Sequence, residues 1–278
     1  HNKIIGDSLS FYKVYLVLLS LFFLKYFTSI LLGLNDRPLL FRENNFELMF
    51  LALVFYLRCI SFKEVKLYEI ITILIIFLAS GSKSAIPILL LVLASHYLRS
   101  LSWKNLISLL LIGTTICAFL ISLILSKYGL SGLASIDRLA FLRVFIIEMQ
   151  NSSISEVLFG HPRITSLLDS SCQALYFYPG LFSYKGDGSC YSLILHSFIL
   201  RSLFDHGFIG TMIIFYSSYY LIVKSGYTKR DAYTFLGVMF LNSLSVSGYN
   251  SVFFALSMIF FIGFPPSKNI QVRYSNNV

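Results

Sequence analysis

Apolar runs that approach or pass ~18 residues, the length at which a helix can cross a bilayer, recur along this chain and decide which solvent it folds in. Residues 11–34, 105–126 and 192–224 form the longest of them. Continuous runs of this kind lack the alternation of a barrel strand, so sheet is excluded and helices remain. Charge supports the same reading: 13% of the 278 residues are charged and 56% are hydrophobic, about half the charge of a soluble domain. The expected fold is all-α, a polytopic transmembrane helical bundle that forms a single membrane-embedded domain over 1–278. Residue 1 is His, and no leader of charged, apolar and then small residues precedes the first span. The chain is therefore expected to start inside a longer protein with further N-terminal spans.

Charges and turn residues divide the runs into eight candidate spans, near 11–34, 46–62, 66–81, 84–98, 105–126, 192–224, 232–247 and 250–264. The run 192–224 is too long for one span. It reads as an amphipathic surface helix over 192–204, followed by a span from Phe208. Tight turns at Gly81-Ser82-Lys83-Ser84 and Ser247-Gly248-Tyr249-Asn250 join neighbouring spans. One long connection, 127–191, is too polar to span and too aromatic for a plain linker. A loop of that length is expected to be functional and to hold short amphipathic helices.

The basic residues orient the bundle. Lys3, Lys13, Arg58, Lys63, Lys66, Arg99, Lys104, Lys224, Lys229, Arg230, Lys268 and Arg273 mark one set of ends, against Arg37, Arg42 and Lys83 in the opposite short loops. That bias places both ends of the chain in the cytoplasm and the long loop outside. It also accounts for the net charge of +9 without nucleic acid, which is not expected as a partner. Arg37, Arg42, Lys83, Arg138, Arg143, Arg163 and Lys185 remain on the outer side. They are candidates for holding an anionic ligand, or are interfacial anchors and local ion pairs.

Cys59 and Cys117 fall in apolar runs and read as small buried hydrophobes. Cys172 and Cys190 share the outer loop, where an oxidising compartment would join them or leave two free thiols. No cysteine or histidine spacing matches a metal site.

The segment "LHSFILRSLFDHGFIG", 195–210, concentrates His196, Arg201, Asp205 and His206 in an apolar context. A helix starting near Tyr191 would set His196, Leu200, Leu203 and Gly207 on one stripe. Arg201 and Asp205, four apart, would pair on another face. Gly207 and Gly210 would admit a close neighbour. From spacing alone, His196 is as readily a satisfied core histidine as a functional one.

His196-Ser197, nine residues, then Gly207-Phe208-Ile209-Gly210 resembles the motif of the O-antigen ligase and O-antigen polymerase superfamily of membrane glycosyltransferases. Leu200, Leu203 and Asp205 match its intermediate positions, with Ser197 where Asn is usual and Asp205 where Glu is usual. "LASGSKSAIPILLLVLA" (78–94) is similar to the family's Ser-Arg-Ser/Gly turn, with Lys83 replacing Arg. "IDRLAFLRVFIIEMQ" with "VLFGHPRI" (136–164) is similar to its outer-loop segment, although Gly160-His161-Pro162 lacks the second glycine. The Gly-Ser-Lys-Ser turn lacks the glycine spacing of a phosphate-binding loop.

The resemblance implies an enzyme of the bacterial inner membrane that moves a glycan from undecaprenyl pyrophosphate to an acceptor hydroxyl at the periplasmic face. Such chemistry needs a general base and cations on the diphosphate. His196 suits the base, since histidine exchanges protons near neutral pH. Glu43, in "FRENNFE", is the competing base. Arg42, Lys83, Arg138 and Arg143 suit the cradle, although Lys83 lacks the two-point fork of an arginine. No Asp-x-Asp pair or His/Asp cluster appears, so no metal and no cofactor are expected. The partners implied are the lipid-linked oligosaccharide, the bilayer and a chain-length regulator. A polymerase of repeat units is the first expectation, and a ligase to lipid A core the second. A flippase is the alternative from another class, but no matched halves are visible and polar groups concentrate in one loop.

Overall fold

The computed structural model describes residues 8–33, 44–62, 64–97 and 137–264. Its helices are α1 (Ser8–Leu32), α2 (Asn44–Ser61), α3 (Leu67–Ala79), α4 (Ala85–Tyr97), α5 (Asp137–Asn151), α6 (Ile154–Phe159), α7 (Asp169–Ala174), α8 (Phe198–Lys224), α9 (Lys229–Ser245) and α10 (Val252–Gly263). Among the described residues there are no strands, only two isolated bridges, Ser166 with Tyr191 and Phe182 with Cys190. The fold is all-helical, as the continuous apolar runs require. Contacts divide the chain into two compact units, residues 1–96 with 214–278, and residues 97–213.

The first unit is organised around α2. Its sequence is apolar on every side, and every side chain from Glu47 to Ile60 is buried. A helix of that kind belongs inside a bundle, and α1, α9 and α10 pack against it. The surrounding helices bury a single stripe. In α1 the stripe is Phe11, Tyr15, Leu19 and Tyr26, while Leu9, Val17, Leu21, Leu24 and Leu31 face out. In α3, Ile73, Ile76 and Phe77 are buried while Leu67, Ile71, Ile75 and Leu78 are exposed.

Charged and amide groups instead lie inside this unit, where burial obliges them to pair. Arg58 meets Glu69 at 3.1 Å, and Tyr12 donates to the same carboxylate at 2.9 Å. The Arg58 guanidinium also lies over the Tyr12 and Phe62 rings. Lys25 pairs with buried Glu47. Tyr56 donates to Asp231 at 2.8 Å, and Asp231 closes the N-terminal capping box of α9 with Thr228. At the opposite end of α2, Asn45 gathers the two tight turns. Its side-chain oxygen accepts from Ser82 and Ser84 of the first turn. Its backbone carbonyl accepts from Asn242, whose side chain fills the space a Cβ would need at Gly248 of the second.

Among the described residues two helical stretches, Leu9–Leu32 and Phe198–Lys224, are long and apolar enough to cross a membrane, the second with a break at Gly207. The apolar helices α3, α4 and α10 have 13, 13 and 12 residues, short of the ~20 that a straight crossing needs. This corrects the expectation of eight full spans: helices stand at seven of the eight places, but the turns shorten them. The eighth, 105–126, lies outside the described residues, as do Arg37, Arg42, Glu43 and Cys117.

The described part of the second unit has a conventional apolar core of Phe141, Val144, Leu167, Leu175, Ile194, Leu195 and Phe204. Helix α5 supplies Phe141 and Val144 and packs against α7 and the 3-10 turn Ser192–Leu195. Buried Glu148 of α5 accepts from the Leu168 N–H at 2.9 Å, tying the helix to the start of α7. Cys172 and Cys190 form a disulfide in this core, with Cα atoms 5.5 Å apart, and close an 18-residue separation.

Candidate functional site

The His196 segment does not form the continuous helix expected from Tyr191. Residues Ser192–Leu195 make a 3-10 turn, and His196 then takes φ 54°, ψ −33°, a conformation L-residues rarely adopt. Ser197 restarts the chain as a helix: its hydroxyl accepts from the Leu200 N–H at 3.4 Å and its carbonyl from the Arg201 N–H at 3.0 Å. The polar residue after the histidine is therefore a helix cap. The break removes His196 from the stripe with Leu200, Leu203 and Gly207 and leaves its side chain exposed. The imidazole lies beside two rings, 5.7 Å from Phe141 and 5.4 Å from Tyr178. Tyr178 in turn donates to Asp137 at 2.7 Å. Its surroundings are the N-terminal turn of α5, where Arg138 also lies.

Helix α8 breaks at Gly207, which takes φ 65° and ψ −175°. A surface helix up to His206 and a longer apolar helix from Phe208 result, close to the division expected from the sequence. Ser202 and Thr211 join hydroxyls across the break at 2.9 Å. The reason for the break is a second glycine, at 160. A Cβ on Gly207 would meet the backbone of Leu158 and Gly160 at 2.4 Å, and a Cβ on Gly160 would meet the Asp205 carbonyl at 2.4 Å. His161 completes the lock: its N–H donates to the Phe204 carbonyl at 2.9 Å and its ring stacks on Phe204 at 3.9 Å. Ser152 bridges the His161 Nε2, 2.9 Å away, to the Glu148 carbonyl. Gly210, by contrast, faces only its own helix, where a Cβ would meet His206, so it admits no other element.

Beside this lock lies a cavity of about 420 Å³, lined by His161, Pro162, Arg163, Ile164, Tyr191, Ser192, Leu193, Arg201, Asp205 and His206. Arg201 and Asp205 pair at 3.3 Å, as their spacing requires, but the pair forms part of the cavity wall. Each side chain keeps about a third of its exposure, so solvent screens the pair and its value is small. The cavity presents two guanidiniums against one carboxylate, with the His206 imidazole beside them; both ring nitrogens of His161 are taken, by Ser152 and the Phe204 carbonyl. Such a set suits an anionic ligand with hydroxyl groups.

The remaining expected residues are spread more widely. Arg138 and Arg143 are both exposed on α5, but five positions set them about 140° apart around the helix, so one ligand cannot take both from one face. Lys83 is exposed in the Gly81–Ser84 turn of the first unit. Arg42 and Glu43 fall outside the described residues. His161, His206 and Tyr191 were not singled out from sequence as site residues. The signal for His161 was its place directly after the loop glycine. Among the described residues no three His, Cys, Asp or Glu side chains are grouped to hold a metal ion. No protein-family model, curated protein or solved structure matches the chain.

Proposed function

We propose that the chain is a multi-pass glycosyltransferase of the bacterial inner membrane, an O-antigen polymerase. It joins undecaprenyl-pyrophosphate-linked oligosaccharide units at the periplasmic face. The observation that carries this reading is His196: the one polar residue of the glycosyltransferase-like motif that leaves the helix, held exposed in a costly backbone conformation. Backbone strain of this kind costs about 1–3 kcal/mol and persists where the surrounding structure holds it for use. The apolar exterior of the first unit, with its charged groups paired inside, supports a membrane setting.

In this reading His196 takes the proton from an acceptor sugar hydroxyl as its oxygen bonds to the donor's anomeric carbon. The bond from that carbon to the pyrophosphate breaks, and undecaprenyl pyrophosphate leaves with the electron pair. Arg163 and Arg201 of the cavity, with Arg138 from the first turn of α5, stabilise the departing charge. The step needs no cofactor.

The test is His196→Ala in a strain that lacks its own copy of the chain. Loss of long polysaccharide, with single repeats still capping lipid A core, is the expected result. Full-length polymer accumulating on undecaprenyl pyrophosphate would point to the ligase reaction instead. Polysaccharide of normal length distribution would remove His196 from catalysis.

A further inference from the structure

Helix α6 and the turn after it expose apolar side chains that the described residues leave uncovered: Ile154 is 81% exposed, Phe159 66% and Ile164 85%. Val157 and Leu158 are also exposed. Glu156 folds back to accept from the Ser153 N–H and hydroxyl in a capping box. The segment is short and largely apolar, and it is held in place. The contact of Gly160 with Gly207 fixes the end of α6 against the point where α8 turns into its apolar part. There Phe208, Ile209, Met212 and Ile213 are exposed too. The two exposed apolar stretches adjoin at the glycine lock. Arg163, exposed beside Ile164, supplies a cation at their margin.

We propose that Ile154–Ile164 is an interfacial anchor that lies in the headgroup region of the bilayer beside α8. The occupant of the apolar stretch is lipid, because it adjoins the start of the apolar part of α8, where Phe208, Ile209, Met212 and Ile213 are also exposed. Arg163 reaches the lipid phosphates, and the cavity it lines sits at headgroup depth. The inference rests on the membrane part of the proposed function but not on catalysis.

The experiment uses the full chain in liposomes, with its single tryptophan removed by Trp103→Phe. New tryptophans are introduced one at a time by Phe159→Trp, Ile164→Trp, Met212→Trp and Tyr184→Trp. The Phe159 and Ile164 variants are expected to show blue-shifted emission, quenching by brominated lipid comparable to the Met212 variant, and protection from acrylamide. The Tyr184 variant, on a fully exposed loop, is expected to be quenched by acrylamide alone. Should the Phe159 and Ile164 variants behave like Tyr184 while Met212 is quenched by lipid, the anchor is wrong and the span stands. Protection of the two from both quenchers would mean that protein covers them, which also overturns the anchor. Absence of lipid quenching at Met212 would overturn the membrane reading together with the anchor.

Discussion

In the first unit Glu47, Asn45, Arg58, Glu69 and Asp231 are buried within a mostly apolar interior, while leucines and isoleucines of α1 and α3 face outward. In the second unit the inward groups are Phe141, Leu175, Ile194 and Leu195, closed by a disulfide, while Arg138, Arg143, Lys185 and Asp187 face outward. Both interiors are mostly apolar, but the first unit adds buried paired charges and the second a disulfide. The contrast lies in what joins the elements: buried polar pairs in one stretch, burial with a covalent link in the other. Polar pairs help specify the packing in the first unit, because each buried charge requires its counterpart. Burial and a covalent link do so in the second.

Mutations should separate the two regimes, and the largest effect is expected in the bundle. Arg58→Met leaves Glu69 charged and buried without its partner, which costs about 3–5 kcal/mol. Arg58→Met with Glu69→Leu should restore most of that stability. Thermal unfolding in detergent checks both; if the double variant is no better than the single one, the pair is not what the interior requires.

At the junction of regimes, Gly207→Ala forces a Cβ into backbone at 2.4 Å and a conformation close to glycine-only. Strain and overlap together should cost about 2–5 kcal/mol. The readout is faster proteolysis after residue 160, with the bundle's own melting unchanged. In the second unit alone, Cys172→Ser with Cys190→Ser should cost about 3 kcal/mol by loop-closure entropy for an 18-residue separation. Reductant should act on the native protein in the same way and leave the bundle intact.

The smallest effect is electrostatic. Ser153 holds the Glu156 carboxyl below its ordinary range through its N–H and hydroxyl, and Ser189 does the same for Asp187. Because both are lowered, their contribution to stability is present above the ordinary carboxylate range and is lost as pH falls through the lowered values. The protection factor of the Glu156 amide, whose N–H the Ser153 hydroxyl accepts, should fall on acidification in the native chain once intrinsic exchange is divided out. It should not respond in Ser153→Ala.

Much of this contrast was legible in the sequence. Apolar runs between turns located α2, α3, α9 and α10 to within a few residues, because helical segments and turn residues are local signals. The division of 192–224 near Phe208 was legible because one run was too long for one helix. The true span lengths were less so: turns at Gly81 and Ser247 cut the apolar runs to a dozen residues of helix. The break at His196 was invisible to periodicity, which assumes that a helix continues until a residue forbids it; neither His nor Ser does. Likewise the partner of Gly207 is Gly160, far away in sequence, and the loss of a second glycine at Pro162 hid how tightly the first is used. His161 and Arg163 join the cavity only through that long-range lock.

The central claim is that strained, exposed His196 performs glycosyl transfer at a membrane surface. Its most direct measurement uses the purified chain in liposomes with undecaprenyl-pyrophosphate-linked oligosaccharide as both donor and acceptor. The account predicts chains longer than one repeat, with undecaprenyl pyrophosphate released in step with each bond. It also predicts that His196→Asn, which suits the same backbone but takes no proton, yields neither product while melting like the native chain. Equal product from native and His196→Asn protein would contradict it.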